Sequence, residues 1–325
     1  MKQSILTNIQ PETEKIDQFM RRDLEVIDDP LLAEVISYAI FNGGKRIRPL
    51  LTVLAARLCG GEALDDLYRL ALTFEYLHAA SLLHDDVIDH AEQRRGRRAA
   101  NKVWTNTHVI LAGDFLHSRA MWLAGTLGGE RCLDKVCQAA SAMVEAEFLQ
   151  LRNVQNMEIS EEHYFQVLKG KTAALIAAAC ETGAILAGST PKMQDALALF
   201  GANLGLSFQI IDDLLDYHGD PARTGKAVGN DFQEGKMTLP LIYAMRQSSG
   251  TRQALSVFLQ DEPAGRRGSF AKARDLIEAA GGFSYARQRA AGLIDEAMHG
   301  LNIFPAGPGR DLLGALAGYV LERDK

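Results

Sequence analysis

An all-α fold is the class this sequence predicts, on three observations. All nine prolines lie at positions 11, 30, 49, 191, 221, 240, 263, 305 and 308, so the 141 residues from Leu50 to Thr190 hold none and can run as long helices. Leu64, Leu67, Tyr68, Ala71, Phe74 and Leu77 step by three or four, the spacing of one helical face. Strand-like alternation of apolar and polar residues is convincing nowhere.

The elements follow in order from this punctuation. Helices are expected over 13–27 and 30–42, then over 46–58, which closes at Gly60-Gly61. A long helix over 64–89 carries the periodic apolar run. Gly128-Gly129 separates helices over 106–126 and 131–154, and 160–188 and 192–217 lie on either side of Pro191; Gly96 and Gly170 mark further breaks. Asp216 to Glu234, rich in glycine and basic residues, is the one long loop candidate, and loops of that length often act as lids. Helices over 238–247, 251–261, 269–280, 284–300 and 308–323 complete the chain. There is no short-period repeat, low-complexity tract or linker long enough to divide it.

Composition narrows the functions. Apolar residues at 47% supply a large core, and a formal charge of -6 argues against nucleic acid as a partner. The basic run at Arg94, Arg95, Arg97 and Arg98 is local. Cys59, Cys132, Cys137 and Cys180 form no C-x-x-C pair and no zinc spacing, so they read as reduced core residues of a cytoplasmic protein. The N-terminus lacks a basic segment followed by an apolar one. The most apolar stretch, Ala173 to Gly188, is interrupted by Glu181 and Thr182, so no membrane span is expected.

The densest chemistry lies in residues 78–96. Asp85, Asp86 and Asp89 form a D-D-x-x-D group, and positions i and i+4 of a helix share a face. Carboxylates that close repel unless a cation lies between them, and Mg²⁺ commonly takes one or two carboxylates together with substrate phosphates. The arginines that follow match phosphate oxygens bidentately. Alone, the group is as readily a solvated acidic helix end before a basic loop. A second copy, Asp212, Asp213 and Asp216, again follows an apolar run. Two such clusters facing one cleft would hold several Mg²⁺ ions around one diphosphate, and because both must then share a cavity, residues 1–325 read as a single domain.

Further motifs run in order between and beyond these clusters: Gly44-Lys45-Arg46-Ile47-Arg48-Pro49, Arg94-Arg95-Gly96, Gly113-Asp114, Lys171-Thr172-Ala173, and Gly225-Lys226 running to Glu234-Gly235-Lys236-Met237-Thr238-Leu239-Pro240. With them the chain resembles the trans-isoprenyl diphosphate synthases, most of all the bacterial long-chain, octaprenyl-type members. The resemblance implies an isoprenoid-synthase-type bundle of about 12–13 helices around a central cavity. It also implies head-to-tail condensation of isopentenyl diphosphate onto an allylic diphosphate, with about three Mg²⁺ ions per active site. Asp85, Asp89 and Asp212 are the implied metal ligands, supported by Asp86, Asp213 and Asp216. Arg94, Lys171, Thr172, Gln209 and Lys226 are the implied allylic-diphosphate ligands; Lys236 reaches the same phosphates or is a solvated loop lysine. Isopentenyl diphosphate falls to Lys45, Arg48, His78 and Arg95. Lys45 and Arg48, three apart, would both project from one side of a helix start, and His78 lies two turns before Asp85 on nearly the same face. His84 reads as a packing or hydrogen-bonding residue.

The allylic tail must run along the helix that carries Asp85, so the residues one turn earlier, Ala80 and Ser81, decide product length. Short-chain relatives commonly have an aromatic there. Its absence points to a product near forty carbons, for quinone side chains, with the floor set deeper by Met143 to Phe148 or by Leu77. Thr105 and Ala146 depart from glycines common in relatives. A homodimer is expected, and so greasy a product would bring the enzyme transiently to a bilayer surface. The rival readings are a farnesyl or geranylgeranyl synthase and a non-catalytic subunit of a heteromeric prenyl synthase; a terpene cyclase would replace the second aspartate motif.

Overall fold

Helix follows helix along the chain. In the computed structural model, which describes residues 2–62, 64–94, 96–218 and 228–323, 82% of the described residues are helical. The elements are α1 (Lys2–Asp23), α2 (Pro30–Ile40), α3 (Ile47–Leu58), α4 (Asp65–Ile88), α5 (Asn106–Arg152), α6 (Glu161–Leu168), α7 (Ala174–Leu186), α8 (Pro191–His218), α9 (Asn230–Glu234), α10 (Leu239–Gln247), α11 (Ser249–Gln260), α12 (Pro263–Ala279), α13 (Gly282–Gly300) and α14 (Pro308–Leu321). Local chemistry sets several starts. The Asp29 side chain accepts from the Leu32 N–H ahead of Pro30, and Ser160 and Ser248 cap α6 and α11 in the same way.

Several elements depart from the expectation. α1 starts earlier and passes through Pro11, which removes one helical donor without ending the helix. The basic loop after α4 closes into the only strand pair among the described residues, Gln93–Arg94 (β1) against Arg97–Arg98 (β2). α5 is continuous in assignment, but Gly129 inside it has φ 69° and ψ −172°. A straight helix would part Met121 and Cys137 by about 24 Å. Their sulfurs lie 3.6 Å apart. α5 is therefore a hairpin of two arms, as the two expected helices require. The expected helix over 160–188 contains a π-helical turn, Lys169–Ala173, between α6 and α7.

The chain divides into two compact units, each discontinuous in sequence. The first comprises Met1–Ala140, Leu175–Gly201 and Leu301–Leu313, the second Ser141–Ala174, Ala202–Gly300 and Gly314–Lys325. In the first, Ile16, Met20, Ile36, Leu50, Tyr68 and Phe74 are fully buried. Arg46, in the left-handed region at φ 49°, is buried among them. It is satisfied by Asp17 and Glu75, each at 2.7 Å, and by the Ile40 carbonyl, the full pairing a buried guanidinium needs. In the second, Tyr217 and Phe232 are fully buried, and the Tyr217 ring packs on Phe283 and Phe270. α8 is long and apolar enough by length and composition to cross a membrane, but it is largely buried, as core helices are. All four cysteines are free. Cys132 and Cys180 are buried as expected, whereas Cys59 is half-buried and Cys137 is exposed on the returning arm of α5, its sulfur against that of Met121.

Candidate active site

In the first unit the site is built at the end of α4. The helix stops at Ile88, and Asp89 caps it with its N–H on the Asp85 carbonyl. Asp85 is half-buried and Asp89 exposed, whereas Asp86 is 3% exposed and turned away. Its Oδ1 accepts from Arg94 Nε at 2.6 Å, so the inner aspartate fixes the first arginine of the hairpin. That pair borders a small cleft with Tyr38, Asn42, Ala79 and Leu83. The Tyr38 hydroxyl donates to the Arg98 carbonyl at 2.7 Å and holds the far side of the hairpin.

The other side of α4 meets the outgoing arm of α5. His84 Nε2 lies 3.2 Å from the Ile110 carbonyl and 3.4 Å from Asp114 Oδ1. A Cβ on Gly113 would stand 2.4 Å from that nitrogen, so the Gly113-Asp114 pair is explained: glycine admits the ring and aspartate flanks it. His84 is therefore a packing and hydrogen-bonding residue, as read. Lys45 precedes α3 in the turn capped by Arg46, so only Arg48 stands on the helix itself; Arg48 and His78 are half-buried. Ser81, four residues before Asp85, shares its face and bonds back to the His78 carbonyl, whereas Ala80 is buried on the side of His84. Thr105 accepts from the His108 N–H at 3.3 Å and caps α5, a use for the hydroxyl that glycine would lack.

In the second unit α8 carries the second motif, and its three aspartates have separate surroundings. Asp212 is 51% exposed, with Arg323 Nη2 at 3.7 Å and that guanidinium stacked over Phe208 at 4.1 Å. Asp213 is buried and accepts from the Tyr164 hydroxyl at 2.7 Å and from Gln209 Nε2 at 3.1 Å. Asp216 accepts from the Asn230 and Asp231 N–H groups at 3.2 and 3.0 Å, capping α9. Burial pushes the Asp213 carboxyl up to about 8, with Asp231 adding to the shift and Tyr164 and Gln209 opposing it. Asp216 rises to about 7, again by burial first and then Asp231, against the α9 N–H groups and Lys236. Burial likewise raises Asp231. Lys236 bonds Asp231 at 3.3 Å and Glu234 at 2.6 Å; burial works against its charge, yet these carboxylates outweigh it and raise its pKa.

The π turn sets the next two residues. Lys171 Nζ reaches Glu147 at 2.7 Å and Gln150 at 3.1 Å, and the Thr172 hydroxyl donates to Gln209 Oε1 at 2.9 Å. A Cβ on Gly170 would lie 2.5 Å from the Ala142 carbonyl and 2.6 Å from Ala146 Cβ, so glycine here lets the turn lie against α5. π turns are frequent at functional sites. Arg95 and Lys226 lie outside the described residues. Val144 and Phe148, expected near the floor, are exposed, and Leu77 is buried.

Residues 29–276 match the family described as Polyprenyl synthetase. The octaprenyl diphosphate synthase of Escherichia coli (strain K12) is 38% identical over 322 residues, covering 96% of this chain and 99% of that protein. The crystal structure of a decaprenyl diphosphate synthase from Rhodobacter capsulatus covers 100% of both chains at 37% identity with TM-score 0.90. That of a polyprenyl synthase from Caulobacter crescentus CB15, complexed with calcium and isoprenyl diphosphate, covers 100% of this chain and 98% of its own at 35% identity with TM-score 0.90. This chain belongs to the polyprenyl synthetase family.

The donor set of this polyprenyl synthetase fits Mg²⁺. Its candidate ligands are carboxylate oxygens, which suit a hard cation. Among the described residues no group of three or more His, Cys, Asp or Glu is gathered to hold a metal alone. Mg²⁺ does not need one when phosphates and water complete its shell. Both motifs divide alike, with one aspartate buried against a hydrogen-bonding partner (Asp86, Asp213) beside neighbours that reach solvent (Asp85 and Asp89, Asp212).

Sequence reasoning missed Tyr164, Glu147, Gln150 and Asp231. Asp231 lies inside the Gly225 to Pro240 run and was legible there as one more carboxylate. The other three have no local signal, because their partners are 21 to 49 positions away.

Proposed function

We propose that this polyprenyl synthetase is a Mg²⁺-dependent transferase that condenses isopentenyl diphosphate head-to-tail onto an allylic diphosphate and makes a long all-trans polyprenyl diphosphate. The observation that carries the reading is the paired D-D-x-x-D motif, each copy with a buried, anchored aspartate beside solvent-reaching ones. Full-length similarity to an octaprenyl synthase supports the long product, as do small residues at Ala80 and Ser81.

Asp85, Asp89 and Asp212 would hold the metal. Bound Mg²⁺ supplies positive charge to the diphosphate as it departs. Arg94, held by Asp86, and Lys171, held by Glu147 and Gln150, are pre-oriented cations for the same anion. Lys45, Arg48 and His78 hold isopentenyl diphosphate, whose double bond attacks the allylic cation. Its lost proton goes to the released pyrophosphate. Ile110, Leu111 and Trp122, left exposed on α5, support a homodimer.

Incubation with isopentenyl diphosphate, an allylic primer and Mg²⁺, then chromatography, tests the reading. Long prenyl products are expected, and none with EDTA. Asp85→Ala and Asp212→Ala should each cut turnover by orders of magnitude with the helical circular-dichroism signal intact. Turnover in either variant within about threefold of the parent, about 0.65 kcal/mol of barrier, sinks the assignment of metal to both motifs.

A further inference from the structure

A row of side chains begins deep in the second unit and ends at the π turn. Tyr164, 4% exposed on α6, donates to Asp213 Oδ2 at 2.7 Å. Gln209 Nε2 donates to Asp213 Oδ1 at 3.1 Å, and Thr172 donates to Gln209 Oε1 at 2.9 Å. Asp213 Oδ1, the oxygen that Tyr164 leaves free, takes the NH₂ end of the Gln209 amide. The amide oxygen then faces Thr172, whose hydroxyl proton is committed to it. The second N–H of Gln209 is left as a donor suited to an anion. A reversed amide would offer an anion only lone pairs.

The buried end of the row is what fixes the carboxylate. With both oxygens engaged, Asp213 cannot rotate out of the plane that meets Gln209. Without the Tyr164 hydroxyl it keeps one of these two bonds and is free to turn. We propose that Tyr164 is a positioning residue for the allylic-diphosphate pocket, acting through Asp213 to set the orientation of Gln209 and Thr172. This rests on the assignment of Gln209 and Thr172 to that substrate.

Tyr164→Phe removes one oxygen and keeps the ring. Expected is a KM for the allylic diphosphate raised about tenfold, the scale of one hydrogen bond, with KM for isopentenyl diphosphate within about twofold and the melting temperature little changed. Calorimetric titration with the allylic diphosphate alone, without turnover, should show the same weakening. Thr172→Val tests the underlying assignment by itself, and the double variant should lose no more than the worse single one, since both act through one row. Equal changes in both KM values, or no change in either, in Tyr164→Phe overturn the positioning role while Thr172→Val still raises the allylic KM. An unchanged allylic KM in Thr172→Val overturns the assignment, and with it the end point of the row.

Discussion

Gly113 shows how much one missing Cβ can carry. Glycine to alanine inside a helix ordinarily gains up to about 1 kcal/mol of stability. Here the added carbon would meet His84 Nε2 at 2.4 Å, and the ring cannot stay where it reaches the Ile110 carbonyl. Overpacking of that kind costs about 1–3 kcal/mol, so the clash wins. Gly113→Ala should lower the melting temperature and, because His84 adjoins Asp85, reduce turnover further than the lost stability explains. A variant as stable as the parent by calorimetry would show that the ring is not held there. At this scale the sequence was eloquent about charged repeats and silent about their partners. Asp85 and Asp212 announce themselves by spacing, whereas the role of Asp86 is decided by Arg94 across a turn and that of Asp213 by Tyr164, 49 residues away.

At the scale of the element, α8 gathers carboxyls whose protonation differs between folded and unfolded chains. Asp213 and Asp216 titrate near 3.8 when unfolded, and burial lifts them to about 8 and about 7 in the fold. The folded state therefore binds more protons between those values. The stability they contribute is full below about pH 4 and is lost as the pH rises through 7 and 8. Metal-free protein in EDTA should melt at lower temperature at pH 8.5 than at pH 6, and Asp213→Asn should flatten the difference. A melting temperature that climbs across this window in the parent would reverse the sign. Element types were legible because helical periodicity and proline placement act locally. The hairpin within α5 was legible too, since Gly128-Gly129 marks it. The π turn was not. Its extra residue is set by packing of Gly170 against Ala142, a contact no local pattern encodes.

For the whole molecule the question is how long a chain it makes. The geometry separates two positions that neighbour each other in sequence: Ser81 lies one turn below Asp85 on its face, and Ala80 is buried on the side of His84. An aromatic at Ser81 would stand in the path of the growing tail, because close-packed interiors do not absorb a ring. Ser81→Phe should shorten the product to roughly fifteen or twenty carbons with the first condensations preserved, whereas Ala80→Phe should do so at an added cost of about 1–3 kcal/mol in stability. Chromatography of the products and thermal melting check both. A full-length product from Ser81→Phe would place the stop elsewhere.

The two units interleave along the chain, which passes from one to the other after Ala140, Ala174, Gly201, Gly300 and Leu313. No single cut yields either unit as one continuous fragment. During synthesis the first unit waits for Leu301–Leu313 before its last piece exists, by which time nearly all of the second has left the ribosome. The first unit is therefore completed late, and a half-length truncation would be a poor reagent for studying either aspartate motif alone.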